Sequence, residues 1–234
     1  AAEEARHRGA GEGVADALKF LKEYNVNGTA QVGKQVAVIG GGNSAIDAAR
    51  TALRLGADSV TILYRRTRAQ MPAWGEEIDA ADDEGITIMP LVAPKEIVRD
   101  ANGKVTGVVC SRMVLGDYDK SGRRRPAAGR NPDFTVACDQ VIAAIGQALD
   151  ADDLVGEFPV ETQKGWIKTE RASGRTSVDW IFAGGDAASG PASVVEAIGA
   201  GERAAVGIDE YLTGANHAFW RREVAVDVFF DPDA

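Results

Sequence analysis

QVAVIGGGNSAIDAARTALRLGADSVTILYRR, residues 35–66, carries the reading of the fold. Residues 36–39 are a short apolar run of the kind buried in a parallel sheet, and Gly40, Gly41 and Gly42 follow at once. In a G-x-G-x-x-G/A pattern, Gly40 permits the sharp turn and Gly42 lets a pyrophosphate approach the backbone. Ala45, at the third position, keeps helix and strand close. A helix is expected from about Asn43, because Ile46, Ala49, Leu53 and Ala57 recur at helical spacing and Gly56 stands near the stop. Its first N–H groups would face an anion with a favourable dipole. Gly40, Gly41, Gly42, Asn43, Ser44 and Ala45 are therefore the first candidate nucleotide-binding residues. A plain structural turn is the alternative, and the strand before the turn and helix after it favour the nucleotide site.

A second strand, residues 60–64, should end beside the adenosine ribose. A site selective for NAD places a carboxylate there, whereas this chain has Arg65 and Arg66. A guanidinium is a planar, permanently charged fork suited to phosphate, so the expected cofactor is NADP(H). Arg68 is expected at the surface.

Further along, helix is expected over 74–84 and strand over 86–91, completing an alternation that marks a parallel α/β sheet. Before the glycine turn, Val14, Leu18 and Leu21 mark a helix ending near Asn25. The alternating Gly9, Gly11 and Gly13 follow no apolar strand and are not expected to form a dinucleotide turn. After Pro94 an antiparallel hairpin is expected: strands over 96–99 and 105–115, then a long polar tip over 116–132 that includes Arg123, Arg124 and Arg125. Asp117, Asp119, Ser121 and Gly122 imitate the start of a calcium loop, but Ala128 stands where the bidentate glutamate belongs. Strands should return over 134–138 and 140–145, with Gly146 breaking the second. Near the C-terminus, a strand over 179–183, the turn Gly184-Gly185, Asp186 and a helix over 192–212 suit a second ligand with hydroxyls beside a phosphate-bearing group. The apolar face of that helix would be Val194, Val195, Ile198, Ala205 and Ile208.

Composition narrows the function classes. No apolar run approaches the roughly 18 residues of a membrane helix, and the net charge of −9 argues against general nucleic-acid binding. Cys110 and Cys138 lie in apolar surroundings without C-x-x-C spacing, so inert buried thiols are expected. His7 and His217 have no partners at ligand spacing, and no metal site is expected. An intracellular, cytoplasmic setting is the default in the absence of a secretion signal. The charged start at Ala1, without a methionine, suggests a piece of a longer polypeptide.

The segments VAVIGGGNSAIDAARTALRLGA, VTILYRR, MPAWGEEIDAADDEGI, DKSGRRRP, DQVIAAIGQ and WIFAGGDAASGPASVVEAIGAGERAA stand in an order that resembles the two-dinucleotide flavoprotein oxidoreductases. The resemblance is to the small (β) subunit of glutamate synthase and its relatives, including the flavin-binding part of dihydropyrimidine dehydrogenase. It implies an α/β, Rossmann-like NADP domain carrying an antiparallel β hairpin, over 33–146, and the C-terminal part of an FAD domain over 147–212. Residues 1–32 would be a remnant of that FAD domain with a linker, and 213–234 a tail. It also implies that Gly185 and Asp186 meet the ribityl or pyrophosphate part of FAD, that Ser193, Val194 and Val195 meet the isoalloxazine ring, and that Gly146 marks the crossover out of the NADP domain. Asn43 and Ser44 would support the pyrophosphate turn. The family's own flavin turn and its cysteine-rich iron–sulfur region are not found before Gly40, so the flavin site is expected to be partial. A partner subunit or upstream domain is expected to carry the clusters.

The implied activity is hydride transfer from NADPH to FAD, which requires no protein nucleophile, so no catalytic residue is assigned. A disulfide reductase of the thioredoxin-reductase type is opposed by the missing C-x-x-C. A non-catalytic NADP(H)-binding or docking module is the remaining alternative.

Overall fold

The computed structural model describes residues 12–118, 124–146, 149 and 158–215. The chain divides into two compact units that part after Gly146.

The first unit is built on a five-stranded parallel sheet in the order β1-β9-β2-β3-β4, whose strands are Val14–Asp16, Gln140–Ala143, Gln35–Ile39, Ser59–Tyr64 and Thr87–Pro90. Alternation along the strands assigns the two faces. Val36, Val38, Val60, Ile62 and Ile142 join a core with Ala45, Ile46, Ala48, Ala49 and Ala52 of helix α2, Asn43–Arg54. Helix α1, Ala17–Asn27, adds Ala17 and Phe20, and helix α3, Gly75–Asp83, adds Ile78 and Ala81. The opposite-facing Ala37, Leu63 and Val141 pack with Val92, Val105, Val108, Cys110 and Cys138. Four alanines on α2 bring the helix axis close to the sheet, and each extra methylene there would have to displace a strand.

The other side of the sheet is covered by antiparallel strands: β5 (Val92–Arg99), β6 (Val105–Tyr118), β7 (Arg124–Ala128) and β8 (Phe134–Ala137), with β5, β7 and β8 all pairing to β6. The chain passes from the parallel to the antiparallel layer at Leu91, which has φ 56°. Its N–H donates to the Arg66 carbonyl at 2.9 Å and its carbonyl accepts from Met113 at 2.7 Å. Two bonds to different layers hold a leucine in a conformation L-residues rarely adopt.

Several expectations are corrected here. Val14 begins a strand instead of a helix: β1 pairs in parallel with Val141, Ile142 and Ala143. Asp16 caps the helix that follows, its Oδ1 accepting from Leu18 and Lys19 at 3.0 and 3.1 Å, and Gly28 (φ 73°) ends it. Residues 14–27 therefore join this sheet and its core. The expected polar tip also contains a strand, because Arg124 donates from Nε to the Gly116 carbonyl at 3.0 Å and from Nη2 to the Leu115 carbonyl at 2.7 Å. The segment 119–123, with Arg123, Asp119, Ser121 and Gly122, lies outside the described residues, as do His7, Gly9, Gly11 and His217.

In the second unit, Thr162–Gln163 (β10) and Trp166–Ile167 (β11) form a small hairpin, followed by the short helix α4, Asp186–Ser189, and the long helix α5, Val194–Thr213. The apolar run 179–183 is not a strand: only Phe182 pairs, in an isolated bridge with Arg175. The packed face of α5 also differs from expectation. Val194, Val195, Ile198 and Ile208 are 76, 78, 58 and 40 % exposed. The inward contacts come from Ala197, Ala200, Ala204 and Gly207, which approach Gly185, Gly184, Gly174 and Ser173. Backbones this close leave no room for branched side chains, so small residues took the seam.

Candidate functional site

All five strands of the parallel sheet point the same way, so Ile39, Tyr64, Pro90 and Ala143 end at one edge. The chain runs from β2 outward through β3 to β4 and later returns to β9 on the other flank of β2. The crevice outside such a reversal of strand order is where open α/β sheets bind ligands. Gly40 lies in it. Its φ is 145°, and a Cβ there would collide with the Ala144 carbonyl oxygen of the neighbouring strand end. Gly41 is buried, and a Cβ on it would lie 2.5 Å from the Tyr64 ring. Gly42 differs from both: its φ is −90°, and a Cβ would have only the Pro72 Cγ as neighbour, at 3.9 Å.

Gly42 is also the N-cap of α2 and brings no side chain to the helix end. The first intrahelical bonds are those of Ala45 and Ile46 to the Gly42 carbonyl, at 2.9 and 3.2 Å. The amides of the first turn thus face the crevice without a protein cap, with a partial positive charge behind them. Asn43 and Ser44 are exposed at this end, and Ala45 is fully buried against the sheet.

Residues that the motif alone did not single out hold the turn in place. Tyr64, 8 % exposed, lies beneath Gly41 and donates from its hydroxyl to the Gln70 carbonyl at 2.7 Å. Ala73 N–H donates to the Gly41 carbonyl at 3.2 Å, and Trp74 N–H donates to Asn43 Oδ1 at 3.0 Å. The Asn43 side chain therefore joins the turn to segment 72–74. Behind the strands, Asp139 accepts from Lys34 and Gln35, both at 2.9 Å, and Gln140 Oε1 accepts from Gly33 at 2.8 Å.

The two arginines diverge. Arg65 is exposed at the end of β3, whereas Arg66 is 8 % exposed and lies within the domain. Adjacent residues on an extended chain point to opposite sides, so the pair cannot present one surface. Arg68 is engaged by Asp79, at 2.9 Å, and by Asp82. Gly146, two residues beyond Ala144, has φ 86°, and a Cβ added there would meet no protein atom within 4 Å. A concavity of about 540 Å³ opens beside the turn, lined by Arg68, Ala69, Met71, Ala73, Gly75, Ile78 and Asp79.

The flank of α2 carries a charge network. Arg50 Nη1 pairs with Glu77, and its Nε and Nη2 donate to Glu84 at 2.9 and 2.7 Å; Arg54 reaches the same Glu84 oxygen at 2.7 Å. Hydrogen bonding from Arg50 holds the Glu84 carboxyl below its ordinary range, while burial and then Glu77 raise Asp47. Both cysteines are buried free thiols, pushed up to about 11 by burial, as expected for inert residues. Among the described residues no cluster of His, Cys, Asp or Glu could hold a metal, and no helix is long and apolar enough to cross a membrane.

The second unit holds Gly185, Asp186, Ser193, Val194 and Val195. Gly185, φ 60°, turns the chain into α4, and Asp186 Oδ1 accepts from Ala192 at 3.3 Å. Ser193 caps α5 through a closed box: its Oγ accepts from Glu196 N–H at 3.2 Å, and the Glu196 carboxylate accepts from Ser193 N–H at 2.9 Å. The Val194 and Val195 side chains flank this end in solvent.

Residues 4–201 match the family model described as pyridine nucleotide-disulphide oxidoreductase. The chain belongs to that family. It is 45 % identical over 201 residues to the NADP(+)-dependent formate dehydrogenase subunit beta of Moorella thermoacetica, covering 86 % of this chain and 28 % of that protein. It is 38 % identical over 232 residues to the NADPH-Fe(3+) oxidoreductase subunit beta of Geobacter sulfurreducens, covering 90 and 34 %. The resemblance to glutamate synthase is borne out: identity to the small chain of Azospirillum brasilense is 37 % over 195 residues, covering 82 and 40 %. The chain thus spans well under half of each of these three relatives. Among solved structures, the Mycobacterium tuberculosis oxidoreductase FprA aligns with TM-score 0.69 at 18 % identity, covering 86 % of this chain and 59 % of FprA. Thioredoxin reductase of T. acidophilum aligns with TM-score 0.64 at 22 % identity, covering 87 and 58 %. Both likenesses establish the Rossmann-like fold.

Proposed function

We propose that this chain is the NADPH-entry part of a flavoprotein oxidoreductase similar to the glutamate synthase small chain. The carrying observation is the turn itself. Gly40 and Gly41 are glycines because protein atoms press on them, while the position of a Gly42 Cβ is clear of the protein and lies at an uncapped helix end. That is a cradle a methyl group would fill, and it fits a pyrophosphate. In this reading the first-turn amides of α2 hold the pyrophosphate and Tyr64 fixes the turn. Exposed Arg65 takes the adenosine 2′-phosphate, and Arg66 supports the end of β3 from inside. The names of the relatives, two of them NADP(+)- or NADPH-dependent, support the choice of phosphate.

The second unit fits one edge of a flavin. Asp186 is exposed and hydrogen-bonded at the turn, and the start of α5 is exposed beside it; the capping box takes the Ser193 and Glu196 amides but not those of Val194 and Val195. Gly185, Asp186, Ser193, Val194 and Val195 would border FAD while the remaining contacts come from a further domain or partner subunit. The chemistry these two sites would supply, with NADPH and FAD bound, is hydride transfer from nicotinamide to flavin, with the electrons going on to an iron–sulfur centre or partner subunit.

Titration calorimetry with NADPH and NADH tests the nucleotide half. Arg65→Ala should weaken NADPH binding by about 10- to 100-fold, the loss of one charge-assisted phosphate contact, and leave NADH nearly unchanged. Equal losses for both cofactors would sink the assignment. A visible spectrum tests the flavin half: flavin absorbance bleached by NADPH supports the oxidoreductase, and a colourless protein that binds NADPH supports a nucleotide-binding module.

A further inference from the structure

Resting on the reading of the glycine turn as an NADP(H) site, we infer that Trp74 is the stacking platform for the adenine base, and therefore a residue that sets affinity for the adenosine half of the cofactor. Trp74 is anomalous on two counts. It is 72 % exposed, although an indole has much apolar surface to bury. It is also the N-cap of α3, with φ −61° and ψ 136°, and makes no side-chain capping bond. Ser, Thr, Asp and Asn are preferred at that position because their oxygens accept from the free amides, and an indole has no oxygen to offer. Neither packing nor capping explains a tryptophan here.

Its location supplies an explanation. The backbone N–H of Trp74 is bound by Asn43, the first residue of α2, and the neighbouring Ala73 is bound by Gly41. Trp74 is thus fixed at the rim of the turn. The segment that carries it follows β3 and is held to the end of that strand by the Tyr64–Gln70 bond, on the flank of β2 where Arg65 lies and away from β9. With a pyrophosphate at the turn and a 2′-phosphate at Arg65, the ribose spans the two, and the base carried on its C1′, next to the 2′-phosphate, falls on this side. Ala73 and Gly75, the two neighbours of Trp74, line the concavity together with Met71, Ile78 and the Arg68–Asp79 pair, while the exposed indole itself is not part of that lining. A π-face of this kind binds a purine without reading its edges.

The experiment uses Trp74→Ser and Trp74→Phe. Serine supplies the missing cap, so Trp74→Ser should melt at or above the wild-type temperature while its affinity for NADPH and for adenosine 2′,5′-bisphosphate falls about tenfold. Phenylalanine should keep affinity within about threefold. Adenosine 2′,5′-bisphosphate should quench wild-type tryptophan emission, and the quench should vanish in Trp74→Phe. Wild-type affinity in Trp74→Ser overturns the proposal, as does a loss of affinity accompanied by a lower melting temperature, or a Trp74→Phe variant as weak as the serine. If the wild type binds neither ligand, the NADP(H) reading itself has failed. If it binds both and Arg65→Ala weakens them while Trp74→Ser does not, only the role of Trp74 falls.

Discussion

A methyl group added at Gly42 would sit 3.9 Å from its nearest neighbour, Pro72, whereas one added at Gly40 would strike the carbonyl of Ala144. The two substitutions should therefore separate stability from binding. Gly40→Ala should lower stability by about 2 kcal/mol or more, through both the clash and φ 145°, measured by thermal or urea denaturation. Gly42→Ala should leave the melting temperature within about 2 °C and reduce NADPH affinity at least about tenfold. The thiols make a second residue-scale test. With pKa values near 11 and buried side chains, Cys110 and Cys138 should not react with a disulfide reagent at pH 8 until the protein is unfolded. An ordinary thiol titrates near 9.0. Between pH 9 and 11 the unfolded chain loses these protons first, the folded chain binds more, and stability should fall as pH rises through that window.

At the scale of elements, α2 and α3 are tied through Glu84, which receives both Arg50 and Arg54. Glu84→Gln keeps the shape and removes the charge. It should lower stability by about 1 kcal/mol at neutral pH, discounted because the group is partly exposed, and the difference from wild type should shrink in acid. The sign follows from the lowered Glu84 carboxyl: its contribution is complete above the ordinary glutamate range and is lost as pH falls through the depressed value. The elements that the sequence revealed are those with long, regular patterning. Strands β2 and β3, helix α2 and the β5–β6 hairpin were legible because periodicity and glycine punctuation agreed. β1 is three residues long, too short for alternation to register, and its partner lies more than a hundred residues away. β7 reads as a polar loop because its side chains are mostly exposed and its order comes from pairing with β6. The helical face Val194–Val195–Ile198 is a genuine apolar stripe, yet alanines and glycines made the packed seam, since sequence hydrophobicity does not measure how closely two backbones can approach. At the glycine turn the motif revealed the glycines but not Tyr64 or Asp139. Their roles depend on contacts across strands that no local pattern encodes.

For the whole molecule, the two units differ in how they bury apolar surface. The first has two cores, one on each face of its parallel sheet, while among the described residues of the second only Ile167 is a buried hydrophobic. The first unit should therefore be separable. A chain ending at Gly146 should fold, melt in one transition and bind NADPH as the full chain does, measured by circular dichroism and calorimetry. The sheet order adds a constraint on synthesis. β9 is inserted between β1 and β2, which do not pair with each other, and Asp139 fastens it to the start of β2. Until residue 143 leaves the ribosome, the sheet has an empty slot between β1 and β2, with unpaired backbone on both of its walls. A polypeptide cut at residue 138 should aggregate where one cut at 146 stays dispersed. The nascent chain must hold that slot open through more than a hundred residues of translation, so the last strand of the unit decides when the crevice at Gly40 first exists.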